Sequence, residues 1–297
     1  MTLSLETIDR CPVCNSNSLV PFLTCKDYLV SQKDFVIQRC QKCSFQFTNP
    51  RPDSEEIGSY YKSEQYVSHN DQSSGLINTA YRVARNFTLN SKVNLVNKIN
   101  GNAGHILDVG CGTGTFLENC KEQGWQIVGV EPDAEAARAA ITKLQIDIPT
   151  DISRLERTDL FDIITLWHVL EHIPDLDKTI HQLYERLADD GTLLIAVPNS
   201  DSYDAQYFKQ YWAAYDVPRH LHHFTPKTIE LLFKEHSFSL VDKKPMVLDA
   251  FYIALLSTRY QTGKTNYLKS VQIGLQSNIA ARRTGNSSSQ IYLFKKA

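Results

Sequence analysis

The sequence predicts an α/β fold, a doubly wound and mainly parallel sheet, with a small cysteine-bearing module in front of it. Strands and helices alternate along the chain after residue 104, which is typical of a parallel sheet with helices on both faces. A glycine-rich turn follows the first of these strands, at the sheet edge where α/β folds bind ligands. The 297 residues suffice for one large core and one smaller module.

Two C-x-x-C pairs dominate the N-terminal module. Cys11-Pro-Val-Cys14 and Cys40-Gln-Lys-Cys43 have 25 residues between them, and four thiolates in this spacing suit tetrahedral zinc. A redox pair is the alternative, but the redox motif belongs beside a βαβ unit, and none surrounds these cysteines. The sequence therefore predicts a structural zinc ribbon over residues 1–52, stabilised largely by its metal.

Residues 53–104 are predicted to form a helical linker or lid. A short helix is expected after residue 52, and a broken apolar stripe predicts one long helix over 76–99. The polar segment between these helices carries Tyr66, Ser68 and His69, which we expect to lie near the pocket.

Residues 105–297 are predicted to form the main domain, with an insert at about 250–286 that is helical near its start. Strands are predicted at 105–110, 126–131, 161–167, 192–197, 238–247 and 289–294, with a weaker one at 146–148. Helices are predicted at 114–123, 133–144, 177–188 and 226–235.

The first strand of this domain runs into a turn with glycines at Gly110, Gly112 and Gly114. Glycine allows a positive φ and a close approach between backbone and ligand. A dinucleotide fingerprint needs its third glycine at position 115, where Thr115 stands. The spacing therefore predicts a nucleoside-bearing ligand that is not held through a pyrophosphate.

With Asp108 before the turn and Glu131 closing the next strand, this segment resembles the S-adenosylmethionine loop of class I methyltransferases. The resemblance implies a seven-stranded sheet whose last strand is antiparallel. It places the methionine part of the cofactor at the turn, the ribose hydroxyls at Glu131 and the adenine at Asp151, for which a helix cap is the alternative. The predicted cofactor-binding residues are Asp108, Gly110, Cys111, Gly112, Gly114, Phe116, Glu131, Pro132, Asp151, Ile152, Trp167 and His168.

Two further segments carry candidate acceptor residues. Leu166–His172 follows the fourth strand, and Asp216–Phe224 holds three histidines, an arginine and an aspartate. The second segment resembles the acceptor side of methyltransferases that act on quinones, sugars and related small molecules, many of which carry an N-terminal zinc ribbon. The predicted catalytic residues are Glu171, His172, Arg219, His220 and His223.

We hypothesise that His172 or His220 is the base, because histidine titrates near neutral pH, and that Arg219 anchors an anionic acceptor. For one of His168 and His172, capping of the following helix is the alternative. The histidines of the second segment do not match a standard zinc spacing with nearby carboxylates, so no metal is expected there.

Charge and hydropathy limit the partners. The net charge of -2, from 31 basic and 33 acidic residues, gives no overall attraction to nucleic acid. A membrane span needs about 20 apolar residues in a row, which the chain lacks, and its start does not resemble a secretory signal.

We therefore expect a cytoplasmic S-adenosylmethionine-dependent methyltransferase with structural zinc. Its acceptor is expected to be a small molecule, a sugar, a quinone-like compound or another biosynthetic intermediate methylated on oxygen or carbon, with neither a membrane nor nucleic acid as partner. An RNA-base methyltransferase and a non-catalytic cofactor-binding scaffold are the alternatives, and the oligomeric state is left open.

Overall fold

The computed structural model describes residues 4–61, 76–156 and 158–297, with backbone alone for 76–86. Tyr66, Ser68 and His69 lie outside the described residues.

The N-terminal module is a small antiparallel arrangement of short strands. These are β1 (Leu5–Glu6), β2 (Leu19–Lys26), β3 (Asp34–Cys40), β4 (Gln46–Thr48) and β5 (Arg51–Pro52). Strands β2, β3 and β4 form one sheet, and β1 pairs with β5. Each C-x-x-C pair lies in a turn beside this sheet, so the hairpin geometry brings the four thiols together.

A 3₁₀ turn (Ile57–Tyr61) leads to helix α1 (Leu76–Asn100) and the alternating part of the chain. Its elements are β6 (His105–Val109), α2 (Thr115–Glu122), β7 (Gln126–Val130), α3 (Ala134–Leu144), β8 (Phe161–Trp167), α4 (Leu176–Arg186) and β9 (Leu187–Pro198). The remaining elements are α5 (Tyr203–Phe208), β10 (His222–His223), α6 (Pro226–Glu235), β11 (Phe238–Pro245), α7 (Asp249–Thr262), α8 (Tyr267–Thr284) and β12 (Ser289–Lys296).

The main sheet has the strand order β11-β12-β9-β8-β6-β7. Strands β7, β6, β8 and β9 are parallel, and β12 runs antiparallel to both of its neighbours. The predicted α/β class and the antiparallel last strand are confirmed. Helix α2 begins directly after the glycine turn, so the turn lies at the carboxyl edge of the sheet.

The prediction of seven strands is wrong, because this sheet contains six within the described residues. Residues 146–148 lie beside β7 without pairing as a strand. The Ile148 side chain packs into the core against Gly129, but the backbone contact shown there is a single bond, from Glu131 N to the Pro149 carbonyl at 3.0 Å. Because Pro149 has no N–H to donate, the backbone pairing with β7 does not continue past this bond.

Strand β10 joins the N-terminal sheet rather than the main one. His222 pairs with Phe47 and His223 with Gln46, and Thr48 N donates to the Leu221 carbonyl at 2.9 Å. The sheet of the N-terminal module is therefore completed by a segment that lies more than 170 residues later in the chain. Residue 52 stays the proposed end of the N-terminal module, although this module and the main domain pack against each other without a break.

Helices α7 and α8 form the insert and pack against each other. A Cβ on Gly274 would lie 2.5 Å from the Phe251 ring, so the two helices approach closely there. Ser277 Oγ donates to Asp204 Oδ1 at 2.7 Å and fixes α8 to α5. Among the described residues, no helix has the length and apolar content to cross a membrane.

Candidate active site and metal centre

The turn between β6 and α2 is built from three glycines in the left-handed region. Gly110, Gly112 and Gly114 have φ of 72°, 55° and 76°. A Cβ on Gly110 would lie 2.5 Å from Val169, and one on Gly114 would lie 2.8 Å from Leu144, so close packing excludes side chains at both. At Gly112 a Cβ would meet nothing within 4 Å. This open side of the turn leaves room for a ligand against the backbone.

Glu131 lies at the end of β7 and faces this turn. Its Oε2 accepts a hydrogen bond from Gly112 N at 2.7 Å, and its Oε1 accepts one from Asp133 N at 2.9 Å. Burial raises the pKa of this carboxyl, while the two backbone donors oppose the rise. Each oxygen retains a second acceptor site, so the carboxylate is suited to accept hydrogen bonds from two neighbouring hydroxyls.

The wall beyond Glu131 is formed by Pro132, Asp151 and Ile152, which line the same cleft. The Asp151 carboxylate accepts a hydrogen bond from Ser153 N at 2.8 Å and caps a short 3₁₀ helix. The helix cap, which the sequence analysis gave as the alternative role of Asp151, is therefore present. Ile152 is largely buried and gives this part of the cleft an apolar surface.

Asp108 lies behind the turn and is 3% exposed. Thr165 Oγ1 donates to its carboxylate at 2.6 Å, and burial raises its pKa to about 7.

Lys92, from α1, places Nζ 4.5 Å from the centre of the Trp167 ring. Burial lowers the pKa of Lys92, whereas Asp108 and Asp249 raise it. Lys92 was not predicted, because a single lysine in a helical stripe gives no sign of the sheet edge that it reaches.

Cys111 and Phe116 are buried beneath the turn rather than exposed in the cleft. The Cys111 thiol packs where a Cβ on Gly129 would stand, 2.9 Å away. The Phe116 ring contacts the Trp167 ring edge-on, with centroids 5.6 Å apart. Both side chains point into the core and neither lines the cleft, so we assign them the role of supporting the turn rather than contacting the cofactor.

His168 bridges two carboxylates. Its Nδ1 lies 3.3 Å from Glu171 Oε1 and its Nε2 lies 3.1 Å from Asp249 Oδ2. Burial lowers the pKa of His168, but the two carboxylates outweigh it and raise the pKa to about 9. His168 therefore carries a proton at neutral pH, and it ties the start of the insert to the cleft. Asp175, and not a histidine, caps the helix that follows.

His172 and His220, two of the predicted catalytic residues, have their ring centroids 4.6 Å apart. His172 Nδ1 lies 3.0 Å from the Arg219 carbonyl and 2.9 Å from the Tyr61 hydroxyl. Because a carbonyl only accepts, we assign the proton to Nδ1, which leaves the Nε2 lone pair available. Burial and the nearby His220 lower the pKa of His172 to about 4, so it is neutral at pH 7.

Glu171 is 1% exposed beside these rings. Its Oε1 contacts His168, whereas its Oε2 is buried without a hydrogen-bond partner among the described residues. Burial raises the pKa of this carboxyl, but the surrounding histidines outweigh it and lower the pKa. An anionic carboxylate beside His172 favours a transient positive charge on that ring.

The structure contradicts the predicted role of Arg219. Its side chain is 1% exposed and donates to Asp27, Asp216 and the Tyr60 carbonyl. The closest of these contacts joins Nη2 to Asp216 Oδ1 at 2.6 Å. All of its donors are engaged, so Arg219 ties the N-terminal module to the acceptor segment and does not anchor an acceptor.

The structure also places His223 away from the cleft, where the sequence prediction had put a catalytic residue. It is buried in β10, where its Nε2 lies 3.1 Å from Thr48 Oγ1 and its ring contacts Tyr215. Burial lowers its pKa well below the usual range, so the ring is neutral. It does not line the cleft. A run of neighbouring histidines could not reveal that alternate residues of a strand point to opposite faces.

One open cleft joins most of the remaining predicted positions. Its lining includes Gly110, Gly112, Glu131, Pro132, Asp151, Ile152, Trp167, His168 and His172. Tyr61 and residues of the N-terminal module complete the opposite wall. The cleft therefore places the turn, the carboxylate and the neutral histidine on one continuous surface.

The four paired cysteines converge at one point of the N-terminal module. Cys11 and Cys43 have Sγ atoms 3.5 Å apart, as do Cys14 and Cys40, and all four lie within 4.8 Å of one another. Tetrahedral zinc with bonds of about 2.3 Å requires sulfur separations of about 3.8 Å. All seven cysteines are free thiols, so this cluster fits a metal and not disulfides.

Residues 79–243, more than half of the chain, match a family described as a methyltransferase domain. The chain belongs to this methyltransferase family. The match covers the glycine turn, Glu131 and both predicted acceptor segments, whereas the cysteine module and the insert lie outside it.

Curated relatives of the methyltransferase domain include ubiquinone biosynthesis O-methyltransferases. That of Rhodopseudomonas palustris strain HaA2 is 27% identical over 100 residues, covering 32% of this chain and 40% of the relative. The mitochondrial enzyme of Rattus norvegicus is 28% identical over 163 residues, covering 49% and 47%. The chain thus spans about half or less of the length of the relatives it matches.

Among solved structures, the magnesium protoporphyrin IX methyltransferase of Synechocystis PCC 6803 with bound SAH is similar in fold. The TM-score is 0.52 at 16% identity, covering 82% of this chain and 100% of that one. At this identity the similarity supports the methyltransferase fold alone.

Proposed function

We propose that the chain transfers the methyl group of S-adenosylmethionine to a small-molecule acceptor. The observation that carries this proposal is the pairing of Glu131 with the open side of the turn at Gly112. The carboxylate, held by two backbone donors, suits the ribose diol of such a nucleoside. The open side of Gly112 leaves room for its methionine chain. Glu131 would hold the ribose, Ile152 would pack on the adenine, and the methionine part would lie along the turn.

When bound, the cofactor supplies an electrophilic methyl carbon on sulfur, and a neutral thioether departs. The chain aligns the acceptor with that carbon, and alignment alone provides much of the rate of such a displacement. The acceptor atom must lose a proton as its new bond to carbon forms. His172 is placed to receive that proton, because its ring is neutral at pH 7 and lines the cleft.

Glu171 supports this step as a positioning residue. It is buried next to His172 and does not line the cleft. Its negative charge stabilises the imidazolium that forms when His172 takes a proton. His220 packs across the His172 ring and holds its orientation.

The acceptor is proposed to be a hydroxylated quinone-like ring or a sugar. Similarity to ubiquinone O-methyltransferases favours oxygen as the methylated atom. Aromatic side chains, Tyr61 and Trp167, line the cleft and suit a planar ring. Methylation of carbon is the other outcome that the same base would serve.

The cysteine cluster is proposed to bind one structural zinc ion. Four sulfur ligands leave no open position for a substrate or water. The metal would therefore hold the turns beside β2 and β3 and form one wall of the cleft.

Isothermal titration with S-adenosylmethionine and S-adenosylhomocysteine tests the proposal. We expect one cofactor per chain, with Glu131→Gln weakening binding by about tenfold or more, because a hydrogen bond to a charged group contributes about 1.5–3 kcal/mol. Glu122→Gln, an exposed carboxylate at the end of α2 that does not line the cleft, is the matched control and should bind normally. Absence of binding by the wild-type chain would remove the proposal.

A further inference from the structure

Helix α8 presents an apolar face to solvent. Its inward side is buried, as at Ile273. Its outward side carries a row of aliphatic side chains at helical spacing that are 86%, 51%, 51% and 52% exposed, namely Leu268, Val271, Leu275 and Ile279. Water-exposed aliphatic side chains in one continuous row indicate a contact surface rather than scattered exposure.

The row continues onto the segment before α7. Val247 and Leu248 are 48% and 36% exposed. Asn278 Nδ2, on α8, donates to the Val247 carbonyl at 3.0 Å, so the two parts adjoin. Asp249, the next residue, holds His168 at the cleft. The apolar face, defined as these six aliphatic residues, therefore ends one position before Asp249, which contacts a residue of the cleft.

The chain segment that carries most of this face has charged side chains of one sign only. Residues 250–297 contain seven of the 31 basic residues of the chain and none of its 33 acidic residues. The basic residues on or beside α7 and α8 are Arg259, Lys264, Lys269, Arg282 and Arg283, and all but the half-buried Lys269 are exposed. Within the described part of the chain, none of these five forms an ion pair with a carboxylate.

We propose that the apolar face docks on an anionic lipid surface. A helix with aliphatic side chains outward and lysine or arginine beside them is typical of helices that lie in the headgroup region of a bilayer. Basic side chains near an anionic leaflet add electrostatic attraction. A second copy of the chain fits less well, because two such faces would bring basic residues together without a carboxylate between them.

The sequence predicted no membrane partner, since it lacks the apolar run that a spanning helix needs. A helix lying in the membrane plane requires only one apolar face, and the inward face of α8 instead carries Ser270, Gly274 and Ser277 for packing on α5 and α7. This inference goes beyond the proposed methyl transfer and does not depend on it, because docking is measured without cofactor or acceptor.

Vesicle co-sedimentation of the full chain tests the proposal. We expect binding to vesicles of phosphatidylcholine mixed with phosphatidylglycerol, little binding to phosphatidylcholine alone, and weaker binding as salt rises. The double variant Leu268→Ser/Leu275→Ser should lose about tenfold or more of the bound fraction, and Arg282→Gln/Arg283→Gln should lose binding in the same direction.

Leu160→Ser is the matched control, because Leu160 is an aliphatic residue 51% exposed elsewhere on the surface. It should bind vesicles as the wild type does, and unchanged melting temperatures show that the variants fold. Equal sedimentation with and without anionic vesicles would overturn the proposal. Self-association in analytical ultracentrifugation that the Leu268→Ser/Leu275→Ser variant abolishes would assign the face to a second copy instead.

Discussion

At the scale of single residues, His168 connects parts of the chain that are 81 positions apart. It has φ of 59°, which costs a non-glycine residue about 1–3 kcal/mol. That strain is offset by contacts with Glu171 and Asp249 on both ring nitrogens. The single positive charge of the protonated ring lies between two carboxylates beside the cleft and reduces the repulsion between them.

The pKa of His168 predicts how stability varies with pH. Because the pKa is raised from 6.5 to about 9 on folding, its contribution is fully present below pH 6.5 and is lost as pH rises through 9. Chemical denaturation of His168→Gln and the wild type should therefore differ most at pH 6 and converge above about pH 9. His181→Gln, on the exposed side of α4, should follow the wild-type curve. A constant difference across this range would exclude the ion triad.

His172 is expected to control turnover and not cofactor binding. Replacing it with Gln should lower kcat by about 10²–10⁴ while the affinity for S-adenosylhomocysteine is unchanged, because the ring acts on the acceptor proton. Since its pKa is lowered to about 4, wild-type kcat should stay level from neutral pH down to about pH 5. A loss of turnover centred near pH 6.5 would show that another group is the base.

The residues that sequence reasoning located correctly are those with a fixed local spacing. Glu131 follows the turn by one strand and one helix, so its distance along the chain sets its position in space. Arg219 has no such signal, because its partner Asp27 lies 192 positions away. Asp249 was missed for the same reason, as its contact depends on where the insert returns to the sheet.

At the scale of elements, the N-terminal sheet is bonded directly to the proposed acceptor side. Thr48 Oγ1, in β4, donates to the His220 carbonyl at 2.8 Å. Leu221 N then donates to the Glu171 carbonyl at 2.8 Å. Through these bonds the cysteine cluster, β4, the His220 segment and Glu171 form one connected support, whereas Glu131 and the turn lie on the main sheet.

Removal of zinc should therefore affect the two halves of the site differently. We expect one zinc per chain by mass spectrometry, and Cys40→Ser or chelation should abolish methyl transfer while S-adenosylhomocysteine still binds. Cys25→Ala, a cysteine outside the cluster, should retain zinc. Full turnover by a metal-free chain would contradict this account of the ribbon.

Arg219 provides a second test of this support. Arg219→Met should reduce the free energy of unfolding by about 3–5 kcal/mol, because it leaves Asp27 and Asp216 charged without their partner. Adding Asp216→Asn should recover part of that loss. An unchanged stability combined with a higher KM for the acceptor would restore Arg219 as an acceptor anchor.

Sequence patterns predicted α2, α3, α4, α6 and the helical start of the insert, together with the six strands of the main sheet, because each has its own periodicity. Helices α5 and α8 were not predicted. Strand β10 was not predicted, since two residues carry no periodic signal and pair only where β4 is already in place. The absent strand at 146–148 shows the opposite error. Two isoleucines gave the apolar pattern, but Pro149 and the short connection prevent a ladder.

At the scale of the whole molecule, two units line one cleft and a third contacts one of the lining residues. The main sheet contributes the turn and Glu131, the cysteine module contributes the opposite wall, and the insert contacts His168 through Asp249. The net charge of -2 hides an uneven distribution, since no acidic residue follows Asp249. Composition alone could not show this, because it averages over the surface.

The most direct test is a crystal structure of the chain with S-adenosylhomocysteine. The account predicts the ribose hydroxyls within hydrogen-bonding distance of the Glu131 carboxylate, and the homocysteine chain passing the open side of Gly112 toward His172. A nucleoside bound elsewhere, or a cleft at Glu131 that stays empty in crystals soaked at saturating ligand, would contradict it.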